Sequence, residues 1–186
     1  ILSLRRCGAA SNPRFSIPWK TLDFTLDSSD KKRHSIYMCA AITLAKPDDL
    51  DRLEGLVMLC HQEIGIDVSP AQRRQGLSHV LANSPHAAAY LIGPVRAPVG
   101  YVMLSFGWSL QLMGHYCTID QIYVRSGVRG RGIASEVMTK LTAMLKSTDI
   151  KSIQIHASQE NASAKRLFKR AHFRSGRTFT LMLRDL

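Results

Sequence analysis

Between residues 119 and 134 the chain reads Ile-Asp-Gln-Ile-Tyr-Val-Arg-Ser-Gly-Val-Arg-Gly-Arg-Gly-Ile-Ala. An apolar run passes into a loop with three glycines, and the loop opens directly onto a helical pattern. Glycine lets backbone N–H groups turn toward one point and lets a ligand come close to the main chain. A helix that begins near Gly132 adds unpaired N–H donors and the positive end of its dipole. Arg129 and Arg131 add charge beside it. The chemistry this arrangement calls for is the binding of a phosphate or diphosphate. A nucleotide P-loop needs Lys followed by Ser or Thr after its last glycine, and Ile133 and Ala134 stand there instead. A dinucleotide fingerprint needs the order GxGxxG, which Gly127, Gly130 and Gly132 do not supply.

The spacing Arg129-x-x-Gly132-x-Ala134 resembles the signature R/Q-x-x-G-x-G/A of the GNAT superfamily of N-acetyltransferases. Downstream, Asn161-x-x-Ala164-x-x-Leu167-Phe168-x-x-Ala171-His172-Phe173 resembles that family's other motif, N-x-x-A-x-x-L-Y-x-x-x-G-F. A capped helix with a Leu/Phe core face accounts for Leu167 and Phe168, but not for both motifs in this order. The resemblance covers roughly residues 40–184.

That resemblance implies a set of roles. An amine attacks the thioester carbon of acetyl-CoA directly, through a tetrahedral intermediate. The long strand ends in a bulge that splays it from its neighbour, and the freed backbone groups of Ile122, Tyr123 and Val124 bind pantetheine and polarise the thioester. Main-chain donors of Arg129, Gly130, Arg131, Gly132, Ile133 and Ala134 hold the diphosphate. Asn161, with Ala164 and Phe168 on its helix, lies on the pantetheine side. Asp120 is the first candidate for general base, because a carboxylate in an apolar strand is costly without work or a partner. An ion pair with a nearby arginine is the plainer explanation, and Glu63 is a second candidate that also suits a solvent-facing position. Trp108, Met113 and Tyr116 are expected to line the acceptor pocket, with the first two helices. His61 and His115 are further acid/base options.

Two departures from the family pattern bear on mechanism, and a third, at His172, is a milder, structural change. Phe168 replaces the tyrosine that protonates the leaving thiolate, so water, Tyr123 or Tyr116 substitutes, or the thiolate leaves unassisted. Gln121 stands where several relatives carry a second acid. His172 replaces a glycine.

The elements that must position these residues alternate from residue 39 onward. Ala40–Leu44 reads as a strand. Pro47, Asp48 and Asp49 open a helix, whose stripe is Leu50, Leu53, Val57, Cys60 and Ile64. Ser69 and Pro70 open a second helix, to about Leu81. Strands are expected at Ala87–Ile92, Val99–Phe106 and Tyr116–Val124. A helix through Ile133, Val137, Leu141 and Leu145 follows, then a strand at Ile150–His156, a helix at Asn161–Ala171 and two short strands between Phe173 and Leu183. The order β-α-α-β-β-β-α-β-α-β-β predicts an α/β (α+β) domain. With the resemblance, this becomes a mixed, mostly antiparallel central sheet flanked by helices.

The bulk numbers bound the partners. A chain of 186 residues suffices for one domain with a full core. Net charge is +11. Residues 1–37 hold seven Lys/Arg against three acids and 38–186 hold eighteen against eleven, excesses of +4 and +7. This favours anionic partners, of which coenzyme A is one. Neither an RNP-like aromatic sequence nor a zinc-finger spacing accompanies the basic residues, which argues against nucleic acid. No apolar run is long enough to span a bilayer, so no membrane partner is expected. Residues 1–37 form a basic extension, either a transit-like leader or residues upstream of a start at Met38, and 38–186 the domain. Cys7, Cys39, Cys60 and Cys117 are too scattered for a disulfide framework or a zinc site, which predicts reduced thiols in the cytoplasm and no metal. Two function classes remain in view besides the enzyme: a non-catalytic acyl-CoA-binding module, and a basic nucleic-acid binder. The acceptor is a small-molecule or protein amine, and pairing into a homodimer, common in the family, stays open.

Overall fold

The apolar alternation of residues 87–124 forms an antiparallel meander, and the remaining elements are arranged around it. The computed structural model describes residues 40–157 and 161–176, together with 182 and 184. The strands are β1 (Ile42–Leu44), β2 (Ala87–Ile92), β3 (Gly100–Ser109), β4 (Gly114–Val124) and β5 (Ser152–Ile155). The helices are α1 (Leu50–Ile64), α2 (Pro70–Leu81), α3 (Ile133–Lys146) and α4 (Ala162–Arg170). The sheet has five strands in the order β1-β2-β3-β4-β5, antiparallel throughout except for the parallel pair β4–β5. This is the mixed, mostly antiparallel architecture that the resemblance implies. The first helical turn, Pro47–Asp49, is a 3-10 turn that leads into α1. The strands expected between Phe173 and Leu183 do not include residues 173–176, and the rest of that stretch, like residues 1–37, lies outside the described residues.

Caps set the helix ends where the sequence places them. Ser69 Oγ accepts the Gln72 amide and Gln72 Oε1 accepts the Ser69 amide, each at 3.2 Å, a reciprocal capping box on α2. Helix α1 stops at Gly65, which takes the left-handed conformation at φ 71°. Helix α4 ends in a Schellman motif. The Phe173 amide donates to the Phe168 carbonyl at 2.9 Å and the His172 amide to that of Lys169 at 3.0 Å. The Phe168 and Phe173 rings meet edge to face, 5.9 Å between centroids. His172 sits at φ 63° there. The family's glycine at this place is therefore explained by a left-handed backbone, which His172 adopts under strain.

The sheet has a core on each face. Helices α3 and α4 cover Val102, Leu104, Cys117 and Ile119. Helices α1 and α2 cover Ala89, Leu91, Tyr101 and Tyr123. Strict alternation would place Cys117, Ile119, Gln121 and Tyr123 on one face. They are divided because Met103 pairs with Gln121 while Leu104 pairs with Ile119, leaving Asp120 as the extra residue of a bulge. The bulge reverses the parity of β4, so Ile122 and Val124 rejoin the α3 side and Gln121 and Tyr123 face α1. Cys60 and Cys117 are free and buried, and burial pushes the Cys117 thiol up to about 12. Among the described residues, no helix is long and apolar enough to cross a membrane.

Candidate functional site

The glycine loop follows β4 without a break. A 3-10 turn at Ser126–Val128 leads to Gly130 and Gly132, at φ 78° and 81°, and α3 starts at Ile133. Both glycines are in the region L side chains avoid, and their missing Cβ atoms would meet nothing within 4 Å. Conformation, not crowding, requires glycine there. Helices α2 and α4 have side chains accepting from their first amides, Ser69 and Asn161. Helix α3 has no side-chain cap, and its first intrahelical bond runs from the Glu136 amide to the Gly132 carbonyl. Its leading N–H groups are thus left for a ligand, at the positive end of a 14-residue helix.

The second wall comes from the edge of β4. Parallel pairing with β5 ends at Ile119–Ile155, while β4 continues to Val124. The Arg125 amide donates to Val99 on the β3 side at 2.9 Å. Because successive strand residues point their peptide groups to opposite edges, Tyr123 pairs with β3 and Ile122 and Val124 face the β5 side. The expected trio of main-chain contributors becomes a pair. Tyr123 contributes its side chain instead. The split is also distinct from the bulge, which lies on the β3 side at Asp120.

These walls enclose a cavity of about 740 Å³, in the range of small-molecule sites. Residues of both motifs meet in it: Arg129, Gly130, Gly132, Ile133 and Ala134 from the loop, and Asn161, Ala164, Leu167 and Phe168 from α4. Ile122, Tyr123 and Val124 line it from β4, and Cys60, Glu63 and Ile64 from α1. Arg131 is exposed and is not part of the lining. Asn161 lines the cavity, yet its Oδ1 accepts the Ala164 amide at 2.9 Å, so only its amide nitrogen is left to reach outward. A larger cavity, about 1200 Å³, lies between α3, β5 and residues 170–176 and holds no residue of the glycine loop.

Arg129 does not extend its charge freely. Its Nε donates to the Val124 carbonyl and a terminal nitrogen to Glu63 Oε2, each at 2.6 Å. The guanidinium carbon lies 5.4 Å from the Tyr123 ring centroid. The Tyr123 hydroxyl donates to Glu63 Oε1 at 3.0 Å. The Arg129 guanidinium beside Glu63 holds its carboxyl below the usual range, whereas burial, reinforced by Glu63, pushes the Tyr123 phenol up. Tyr123 therefore keeps its proton at neutral pH. A third group lies alongside: the Tyr101 hydroxyl donates to Gln121 Oε1 at 2.6 Å, and Gln121 Nε2 is 3.3 Å from His61 Nε2. Burial lowers the His61 pKa, so the ring is neutral at pH 7.

Several expectations need correction. Asp120 is not embedded in an apolar strand. As the bulged residue it is exposed, it accepts a hydrogen bond from Ser105 Oγ at 3.0 Å, and no salt bridge reaches it among the described residues. Trp108, Met113 and Tyr116 do not line the cavity. Met113 lies in the turn between β3 and β4, 71% exposed, and Trp108 is also exposed. Tyr116 lies against Gly107, where an added Cβ would meet its ring. At about 3.3 Å per strand residue, Tyr116 is roughly 25 Å along β4 from Val124, and the turn lies farther still. Tyr116 is thereby removed as a stand-in for the missing tyrosine. Glu63 is exposed, as the sequence allowed, and yet both of its carboxylate oxygens are engaged at the cavity. Cys60 and Ile64 were missed, although the α1 stripe already ended on them.

Residues 81–173 match the model of the Acetyltransferase (GNAT) family. No curated protein matches the chain by sequence. Solved structures do match in fold. A possible acetyltransferase from Clostridium difficile 630 has TM-score 0.71 and 17% identity, over 80% of this chain and 99% of that chain. Ribosomal-protein-alanine N-acetyltransferase from Brucella melitensis biovar Abortus 2308 has TM-score 0.63 and 16% identity, over 79% and 99%. An aminoglycoside acetyltransferase from an uncultured soil metagenomic sample, in complex with sisomicin, has TM-score 0.69 and 12% identity, over 80% and 97%. With the family model covering 93 of 186 residues and the cavity built from both of its motifs, the chain belongs to the acetyltransferase (GNAT) family.

Proposed function

We propose that the protein transfers an acetyl group from acetyl-CoA to the amine of an acceptor. One observation carries this reading: the uncapped start of α3, the two left-handed glycines and the edge of β4 beyond its pairing with β5 converge on one cavity. The residues fit the cofactor. Amides from Gly130 to Ala134 suit a diphosphate, and the Ile122 peptide groups with the Val124 amide suit the amides of a pantetheine arm and a thioester oxygen. When bound, acetyl-CoA supplies an activated acyl group with a thiolate leaving group.

The chain's own groups do the rest. Asp120 is the proposed general base, acting directly or through water, with Ser105 orienting it. Its exposure suits an acceptor that arrives from solvent. Tyr123 is the proton-bearing hydroxyl at the cavity that stands in for Phe168, whose ring carries no proton to give. The acceptor amine belongs to a small molecule or a protein: the neighbours named above include one enzyme for each, and a shared fold does not choose between them.

The test is a thiol-release assay with acetyl-CoA over a panel of aminoglycosides, polyamines, amino acids and peptides, run beside calorimetric titration of acetyl-CoA. Binding with turnover on at least one amine supports the enzyme. Binding without turnover on any amine replaces it by a non-catalytic acyl-CoA-binding module. Absence of binding at millimolar acetyl-CoA removes both.

A further inference from the structure

Helix α1 brings one carboxylate, Glu63, to the cavity. Glu63 Oε1 accepts the Tyr123 hydroxyl and Oε2 accepts the Arg129 guanidinium. Glu63 and Arg129 are 66 positions apart, and Glu63 belongs to neither cofactor motif. We propose that Glu63 is a positioning residue for the transfer: it fixes the Tyr123 phenol at the cavity wall and, with its second oxygen, draws the Arg129 guanidinium away from anions in the cavity. The proposal rests on the acetyl-CoA reading above.

The two halves of this role rest on different bonds. Arg129 is anchored independently of Glu63, because its Nε donates to the Val124 carbonyl. Removing the carboxylate therefore leaves the guanidinium at the cavity with its terminal N–H groups free to meet an anion, and a planar fork is well suited to a diphosphate. The Tyr123 ring is buried in the α1-side core, but its hydroxyl has no second hydrogen-bond partner among the described residues. The groups that face it are Glu63 and Cys60 from α1, Arg129 from the loop and the Tyr101 ring from β3, at 6.1 Å. Among them the carboxylate accepts its hydrogen bond. Glu63 thus favours an ordered phenol and opposes anion binding. Glu63 and Arg129 are 40% and 46% exposed, and an exposed ion pair without a role in the site would change neither property by much.

The test uses Glu63→Gln and Glu63→Ala in the full chain, with thermal melts to verify folding. Acetyl-CoA affinity is measured by calorimetry, and kcat and KM by thiol release. In Glu63→Ala, kcat is expected to fall about tenfold, while Kd and KM for acetyl-CoA fall about two- to five-fold. Glu63→Gln, whose amide oxygen still accepts from Tyr123, should recover much of kcat and keep the tighter binding. An unchanged kcat in Glu63→Ala, or weaker acetyl-CoA binding in both variants, overturns the proposal while leaving the acetyl-CoA reading intact. A wild-type protein that takes up no acetyl-CoA removes that reading and this proposal together.

Discussion

The carbonyl oxygen of Tyr123 stands 2.1 Å from the position that a Cβ on Gly100 would occupy. Gly100 pairs with Val124 at the start of β3, and the next pair is Tyr101 with Tyr123. Two backbones approach this closely only where one has no side chain. The contact fixes the end of β4 from which the cavity wall is made.

Gly100→Ala is therefore expected to destabilise the protein by about 1–3 kcal/mol. The clashing atoms are backbone, so no rotamer change relieves them. A urea denaturation midpoint equal to that of the wild type would contradict this account.

The opposite change is expected at the end of α4. His172 holds φ 63° in the Schellman motif, and a left-handed non-glycine residue costs roughly 1–2 kcal/mol. Glycine removes that strain and gives back part of it as unfolded-chain entropy. His172→Gly should then raise stability by about 0.5–1 kcal/mol. A lower melting temperature would show that the imidazole makes a stabilising contact outweighing the strain.

Asp120→Asn separates catalysis from cofactor binding. The side chain is exposed on the bulge and does not line the cavity, so acetyl-CoA affinity should be unchanged. Loss of a general base lowers turnover by about 100-fold or more, and Asn keeps the oxygen that accepts from Ser105. Equal turnover in the two proteins at neutral pH would assign the base elsewhere.

Alkaline pH should unfold the protein through its buried acids. Burial raises the Tyr90 phenol from 10.0 to about 12, so above pH 10 the unfolded chain loses this proton before the folded one does. The stability linked to Tyr90 is fully present below pH 10 and declines as pH rises toward 12, by about 1.4 kcal/mol per pH unit. Cys117 acts in the same direction from 9.0 to about 12. Tyr90→Phe should flatten the decline between pH 10 and 12 by one proton's share. Urea midpoints measured at pH 8, 10 and 11 provide the check, and identical slopes for the two proteins would refute it.

Much of the architecture was legible because it is local. The Ser69–Gln72 box, Gly65 after the α1 stripe and the Asn161 cap are set by groups within one helical turn, and their spacing is visible in the chain. The same holds for the glycine loop, where a strand, two left-handed residues and a helix start follow one another. A signal for the bulge was also present. The apolar residues Cys117 and Ile119 lie at odd positions and Ile122 and Val124 at even ones, so the alternation slips between them.

The chain by itself determined which backbone segments could cradle a diphosphate and in what order they occur, because those properties depend on neighbours three or four residues away. Tertiary structure alone decided what the long side chains do. It set Glu63 against Arg129 and Tyr123, turned Asp120 outward and carried Trp108, Met113 and Tyr116 to the far end of the hairpin. Such partners are chosen by how α1 packs across the sheet and by the register of β3 on β4, and neither is encoded in the spacing of any one segment.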